Sequence, residues 1–220
     1  MVSADSESRP SCTTALEGDE VIRLSDALII NRGKERVCFV HPHKPERVVK
    51  VVLQNERTNP ANIQELKGYH MLLKEGGDLS FLSHCHGFVA TDRGPGLVCD
   101  CIRDFDGTIS PTIWDTVVFQ DDCDMEYLVA VMETFCDFLI ANRLWIFDLN
   151  LKNIVLRRAS ENTLHPYVID LKGRYVSHTL IPLAKYFHFF ARKKMIRRTA
   201  QLLQRIVEFR DRREELRLLD

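Results

Sequence analysis

The chain has 220 residues, 45% hydrophobic and 28% charged, a globular balance that excludes a mainly disordered polymer and suits one ample domain or a compact pair of lobes. Lys plus Arg number 30 against 31 Asp plus Glu, a formal charge of −1, so no global field marks a nucleic-acid coat and no nucleic-acid partner is expected. The seven cysteines contain no C-x-x-C pair, which excludes zinc-ribbon and redox motifs and reads as the reduced thiols of a cytoplasmic protein.

Residues 1–20 are rich in Ser, Thr, Asp and Glu and carry no secretory apolar run, so they read as a flexible tail. Val21–Leu24 and Val37–Val40 are short apolar runs on either side of Asn31-Arg32-Gly33-Lys34, and Arg47–Leu53 follows a His-Pro-His-Lys-Pro turn. These segments predict strands joined by turn chemistry. Asn59 before Pro60 predicts a helix start, and Ile63, Leu66, His70 and Leu73 keep helical spacing until Gly76-Gly77. Phe88–Ala90 and Leu97–Ile102 predict two more strands around the turn Asp92–Gly96.

From Glu126 onward Leu128, Val131, Met132, Phe135, Cys136 and Leu139 follow the three-four spacing of a helix with one buried face. Ile154–Leu156 and Tyr167–Ile169 predict two short strands separated by a polar turn, Arg157–Pro166, and the chain turns helical again from Leu183. The last 36 residues carry eleven Lys or Arg against five Asp or Glu. Nowhere do about 18 apolar residues run together, so no membrane span is expected.

Phosphoryl transfer needs a turn over the nucleotide phosphates, a cation on those phosphates, oxygen ligands for magnesium and an acceptor for the nucleophile's proton. Candidates occur in that order. Asn31-x-Gly33-x-x-Arg36-x-Cys38 lies between two strand-like segments, Lys50 lies on the next strand, and Glu65 lies on the following helix on a face shared with Tyr69 and Leu72. Asp148 and Asn153 stand five apart in Ile146-Phe147-Asp148-Leu149-Asn150-Leu151-Lys152-Asn153, and Val168-Ile169-Asp170-Leu171-Lys172 follows. Each alone has a plainer reading: Lys50 as an edge lysine, Glu65 as an exposed helix residue, Asp148 and Asn153 as cap residues. Their shared order favours a nucleotide and metal site.

These runs resemble the catalytic loop and the metal-binding segment of protein kinases. More narrowly, Ile22–Ser25, Cys38–Pro42, Glu65–Tyr69, Asp104–Gly107 and Thr179–Ala184 resemble the small kinase-like proteins of the bacterial PhoP regulatory network, over roughly Val21 to Arg198. The resemblance implies a truncated protein-kinase-like α+β fold, with a β-rich N-lobe over about 21–103 and a reduced helical C-lobe over about 104–220 forming one domain. It implies ATP and Mg2+ as cofactors. Lys50 would hold the α and β phosphates and Glu65 would orient it. Asn31 and Gly33 would belong to the phosphate-covering turn, and backbone groups near Asp100 and Ile102 would face adenine. Asp148 would be the catalytic base, and Asn153 and Asp170 the metal ligands.

Several positions depart from the kinase pattern. Asn31 and Arg36 replace two of three glycines, Ile146-Phe147 replaces His-Arg, Asn150 stands where a Lys would meet the transferred phosphate, and Leu171-Lys172 replaces Phe-Gly. Two functions remain open: Mg-ATP-dependent transfer to an unknown acceptor, or a pseudokinase-like module that binds nucleotide or a regulatory protein partner without chemistry. His41-Pro42-His43 and His84-Cys85-His86 lack zinc spacing and read as surface or packing residues. Cys99 and Cys101 read as small core residues. The aromatic and basic run Tyr186–Arg198 has the composition of a membrane-surface helix. Leu202, Leu203, Ile206 and Phe209 continue an amphipathic pattern, which favours a final helix packing its aromatic face on the C-lobe.

Overall fold

Alternation of side chains across a strand decides the N-terminal half. The structure is a computed structural model that describes residues 21–53, 60–76, 78–120, 123–146, 148–171 and 188–217. The expected tail 1–20, the Asn59 cap, Gly77, Phe147, Lys172 and the stretch 179–187 lie outside the described residues. Strands β1 (Ile29–Arg32), β2 (Arg36–His41), β3 (Lys44–Val52), β4 (Cys85–Val89) and β5 (Gly96–Asp100) form an antiparallel sheet in the order β1-β2-β3-β5-β4. Helix α1 (Pro60–Glu75) connects β3 to β4 and ends where Gly76 takes a left-handed φ of 71°.

One face of this sheet packs Leu24, Val37, Phe39, Val49, Val51 and Val98 into a small apolar cluster. The other face carries Val48, Leu97 and Cys99, which join Leu66, Tyr69 and Leu72 of α1. Gly96 lies where a Cβ would run into the side chain of Val49, so only glycine lets β5 approach β3 this closely.

Below the sheet come α2 (Ile113–Phe119), α3 (Met125–Ala141), the hairpin β6 (Ile154–Ser160) and β7 (Thr163–Val168), and α4 (His188–Arg217). One buried cluster runs continuously from α1 and β5 through Leu128, Met132 and Leu139 of α3 and Ile154 of β6 to Met195, Leu202 and Ile206 of α4. The architecture is α+β, with a small β-rich lobe above a helical one. No helix among the described residues is long and apolar enough to cross a membrane.

Three expectations need correction, and one helix is added. Val21–Leu24 is not a strand: only Ile22 bridges Thr91, and Ser25 then accepts the Ala27 N–H to open a 3₁₀ turn, so β1 starts at Ile29 and contains Asn31. The polar turn expected over Arg157–Pro166 shrinks to Glu161-Asn162, because Arg157 and Arg158 pair with His165 and Leu164 as strand residues. Arg158 is also held by Asp104 and Asp106 at 2.7 and 2.9 Å. Helix α2 was not foreseen; Thr112 and Asp115 close a reciprocal capping box at its start. Lastly, of the expected aromatic run the two described phenylalanines are not buried, Phe189 being 73% exposed, while Ala191, Met195, Leu202 and Ile206 make the contact; Tyr186 and Phe187 lie outside the described residues.

Candidate functional site

The β2–β3 register sets Cys38 opposite Lys50, so Arg36, Cys38 and Lys50 share the sheet face that looks toward α1 and the lower lobe. On α1, Asn62, Glu65 and Tyr69 recur at helical spacing and are all buried. The Lys50 ammonium therefore meets the Glu65 carboxylate, Nζ to Oε1 at 2.5 Å, with both side chains nearly inaccessible. Asn62 fixes the strand from the same helix, donating its amide to the Lys50 carbonyl at 2.7 Å. A charge pair removed from water in this way persists only when further hydrogen bonds complete it, and the structure supplies them.

Arg36 gives the cluster its reach. Its Nη1 donates to Glu65 Oε2 at 2.5 Å and to Asn62 Oδ1 at 2.9 Å, and its Nη2 pairs with Asp170 Oδ2 of the lower lobe at 2.9 Å. Lys50 Nζ also donates to the carbonyl of Ile169, the residue before Asp170. Two cations and two carboxylates thus tie β2, β3 and α1 to the segment after β7. Burial alone would depress both cations, yet Glu65 and Asp170 hold the Lys50 ammonium and the Arg36 guanidinium above their ordinary pKa ranges. Burial pushes the Cys38 thiol between them up to about 11, which makes it a neutral packing group and a poor nucleophile.

The loop before β6 is built locally. Asn153 Nδ2 donates to the Asp148 carbonyl at 3.2 Å and to Asp148 Oδ2 at 3.1 Å, and Asn150 Nδ2 donates to Asp148 Oδ1 at 3.2 Å. The Lys152 N–H closes onto Asn150 Oδ1, and the Lys152 ammonium lies 4.7 Å from the Trp114 ring centroid. The Ile169 N–H donates to the Asn153 carbonyl at 3.0 Å, which locks this loop to the Asp170 segment. Both Asp148 oxygens are thereby oriented by neutral amides.

Asp170 Oδ1 is buried and has no hydrogen-bond partner among the described residues, while Oδ2 is taken by Arg36. A hard oxygen without a donor is the kind of atom a divalent cation would complete, so Asp170 fits a metal ligand; Asn153, whose backbone carbonyl accepts the Ile169 N–H, is the expected second ligand. A second grouping, Glu65 with Cys85 and Cys99, brings its atoms within 4.8 Å of one another. Both Glu65 oxygens already hold buried cations, so that group is packing.

The remaining expected positions lie around this cluster. Asn31 pairs with Cys38 across β1 and β2, and Gly33 lies in the short turn between them; both are exposed at the rim. Asp100 ends β5 with its N–H donating to the His84 carbonyl, its own carbonyl accepting the Ser83 hydroxyl, and its carboxylate on His86 at 2.6 Å. Its backbone is therefore already satisfied. Ile102 accepts the Ser110 N–H, and among the described residues no acceptor meets the Ile102 N–H. Arg36 is the functional residue that the glycine pattern hides: it stands in place of a glycine, and alternation along β2 puts it on the Lys50 face.

The family model described as PhoP regulatory network protein YrbL matches residues 22–207. The YrbL proteins of Escherichia coli (strain K12) and Shigella flexneri are each 34% identical over 182 residues, covering 80% of this chain and 84% of theirs. Among solved structures, the kinase domain of Mycobacterium tuberculosis PknI is similar at 13% identity and a TM-score of 0.37, over 66% of this chain and 57% of that one. The chain belongs to the YrbL family of PhoP regulatory network proteins.

Proposed function

We propose that this YrbL-family protein binds Mg-ATP in the cleft between its lobes and transfers the γ-phosphoryl group to a hydroxyl acceptor. The observation that carries the reading is the buried Lys50–Glu65 pair joined to the Asp170 segment through Arg36 and the Ile169 carbonyl. Lys50, fixed by Glu65, would present a cation to the phosphates, and the Ile102 N–H would donate to the adenine edge. Asp148, with both oxygens steered by Asn150 and Asn153, would accept the acceptor hydroxyl's proton. The hydroxyl oxygen would then form its bond to the γ-phosphorus while the bond to the β-phosphate oxygen breaks. Magnesium held by Asp170 and Asn153 would supply neutralisation of phosphate charge. The test is phosphate release from ATP by wild type, Asp148→Ala and Asp170→Ala. Activity in wild type that falls at least a hundredfold in both variants supports transfer, and equal background in all three removes it.

One observation favours a second reading, binding without chemistry. Asn150, where a kinase would place a lysine, donates to Asp148 and brings no cation to the phosphate. In that case Mg-ATP raises the melting temperature of the wild type while no phosphate is released.

A further inference from the structure

Arg36 is a charged residue at the place where the kinase-like turn would have its third glycine, and its two ends have different partners. Nη1 is anchored on α1 by Asn62, which is fully buried, and by Glu65. Nη2 crosses to Asp170 Oδ2, leaving Oδ1 of the same carboxylate buried and without a hydrogen-bond partner among the described residues. The cluster is balanced, Lys50 and Arg36 against Glu65 and Asp170, so neither a metal nor a phosphate can enter alone without leaving a buried charge uncompensated.

We infer that Arg36 is a phosphate-binding cation that guards the metal ligand: without nucleotide its Nη2 holds Asp170, and with nucleotide it turns to a phosphate oxygen and releases Asp170 to a divalent cation. The inference rests on the proposed nucleotide site. The exchange keeps each buried charge paired, because the cation takes the place of the guanidinium at Asp170 and the phosphate takes the place of the carboxylate at Arg36. A planar guanidinium suits both partners and stays tethered by Nη1 throughout. The same residue brings to the phosphates the positive charge that Asn150 does not. Metal and nucleotide therefore enter together.

The test titrates the full chain with Mn2+ in the absence of nucleotide, read by electron paramagnetic resonance, and with Mg-ATP and Mg-ADP by calorimetry. Wild type, Arg36→Gln, Arg36→Lys and Asp170→Asn are compared. Arg36→Gln is expected to bind Mn2+ alone about tenfold more tightly and Mg-ATP about tenfold more weakly than wild type, the scale of one charge-assisted hydrogen bond. Arg36→Lys, whose single ammonium cannot bridge Asn62, Glu65 and Asp170 together, shifts both titrations the same way and carries the test should Arg36→Gln not fold. Asp170→Asn loses the Mn2+ signal. Wild type that binds ATP while a folded Arg36 variant matches it in both titrations overturns the role of Arg36 alone. Wild type that binds no nucleotide overturns the nucleotide site and this inference with it.

Discussion

The two halves of the candidate site are held in opposite ways. The ionic cluster gathers one residue each from β2, β3, α1 and the segment after β7, and its charges are almost entirely out of water. The loop from Asp148 to Asn153 closes on itself within six residues through neutral amides on one carboxylate. The first exists only once both lobes have packed, so its integrity and the fold's stability are one quantity. The second is a local turn whose chemistry can be altered with small effect on the fold.

The sharpest way to break this contrast is Glu65→Ala. It leaves Lys50 buried without a carboxylate and takes one of the two carboxylates from Arg36, and should destabilise the chain by about 3–5 kcal/mol in urea denaturation. A loss under about 1 kcal/mol would mean that the cluster is solvated. Alkaline pH probes the same half through the Cys38 thiol and the Lys50 ammonium, both raised in the fold. Because the unfolded chain loses these protons first, their stabilisation is complete below the ordinary thiol value of 9.0 and fades as pH climbs toward about 11 for Cys38. Melting curves from pH 7 to about 11 should fall in that window, and Cys38→Ala should flatten its lower part.

The loop half should respond less. Asn153→Ala removes two hydrogen bonds to Asp148 and is expected to cost about 1 kcal/mol while sharply weakening any metal-dependent response. Smallest is Lys152→Ala, which forfeits the contact with the Trp114 ring for about 0.5–1 kcal/mol, read by the same denaturation.

The same division explains what could be read from the sequence. Asp148, Asn150 and Asn153 are close in the chain, and their spacing pointed to a loop before a strand, which is where they lie. Lys50 and Glu65 needed only one strand and one helix to be recognised, and their pairing follows from β3 packing on α1. Arg36 stands at a glycine position of the kinase pattern, and that pattern concerns the backbone of the turn and carries nothing about its side chain. Counting two residues back from Cys38, opposite Lys50, would have put its side chain inside. Its reach to Asp170, 134 positions away along the chain, is a product of lobe packing that no local pattern contains. Helix α2 was legible in Thr112-x-x-Asp115 and was passed over because seven residues are too few for a periodic signal. The exposure of Phe189 depends on which face of α4 meets α3, and composition does not carry that choice.

A thermal melt with Mg-ATP tests the proposed nucleotide site around Lys50 and Asp170 most directly. At about a hundred times Kd, wild type should gain about 2.7 kcal/mol, a rise of several degrees. Lys50→Met and Asp170→Asn, folded at their own baselines, should show little or none. No shift in wild type at millimolar Mg-ATP, or an equal shift in all three proteins, would contradict the account.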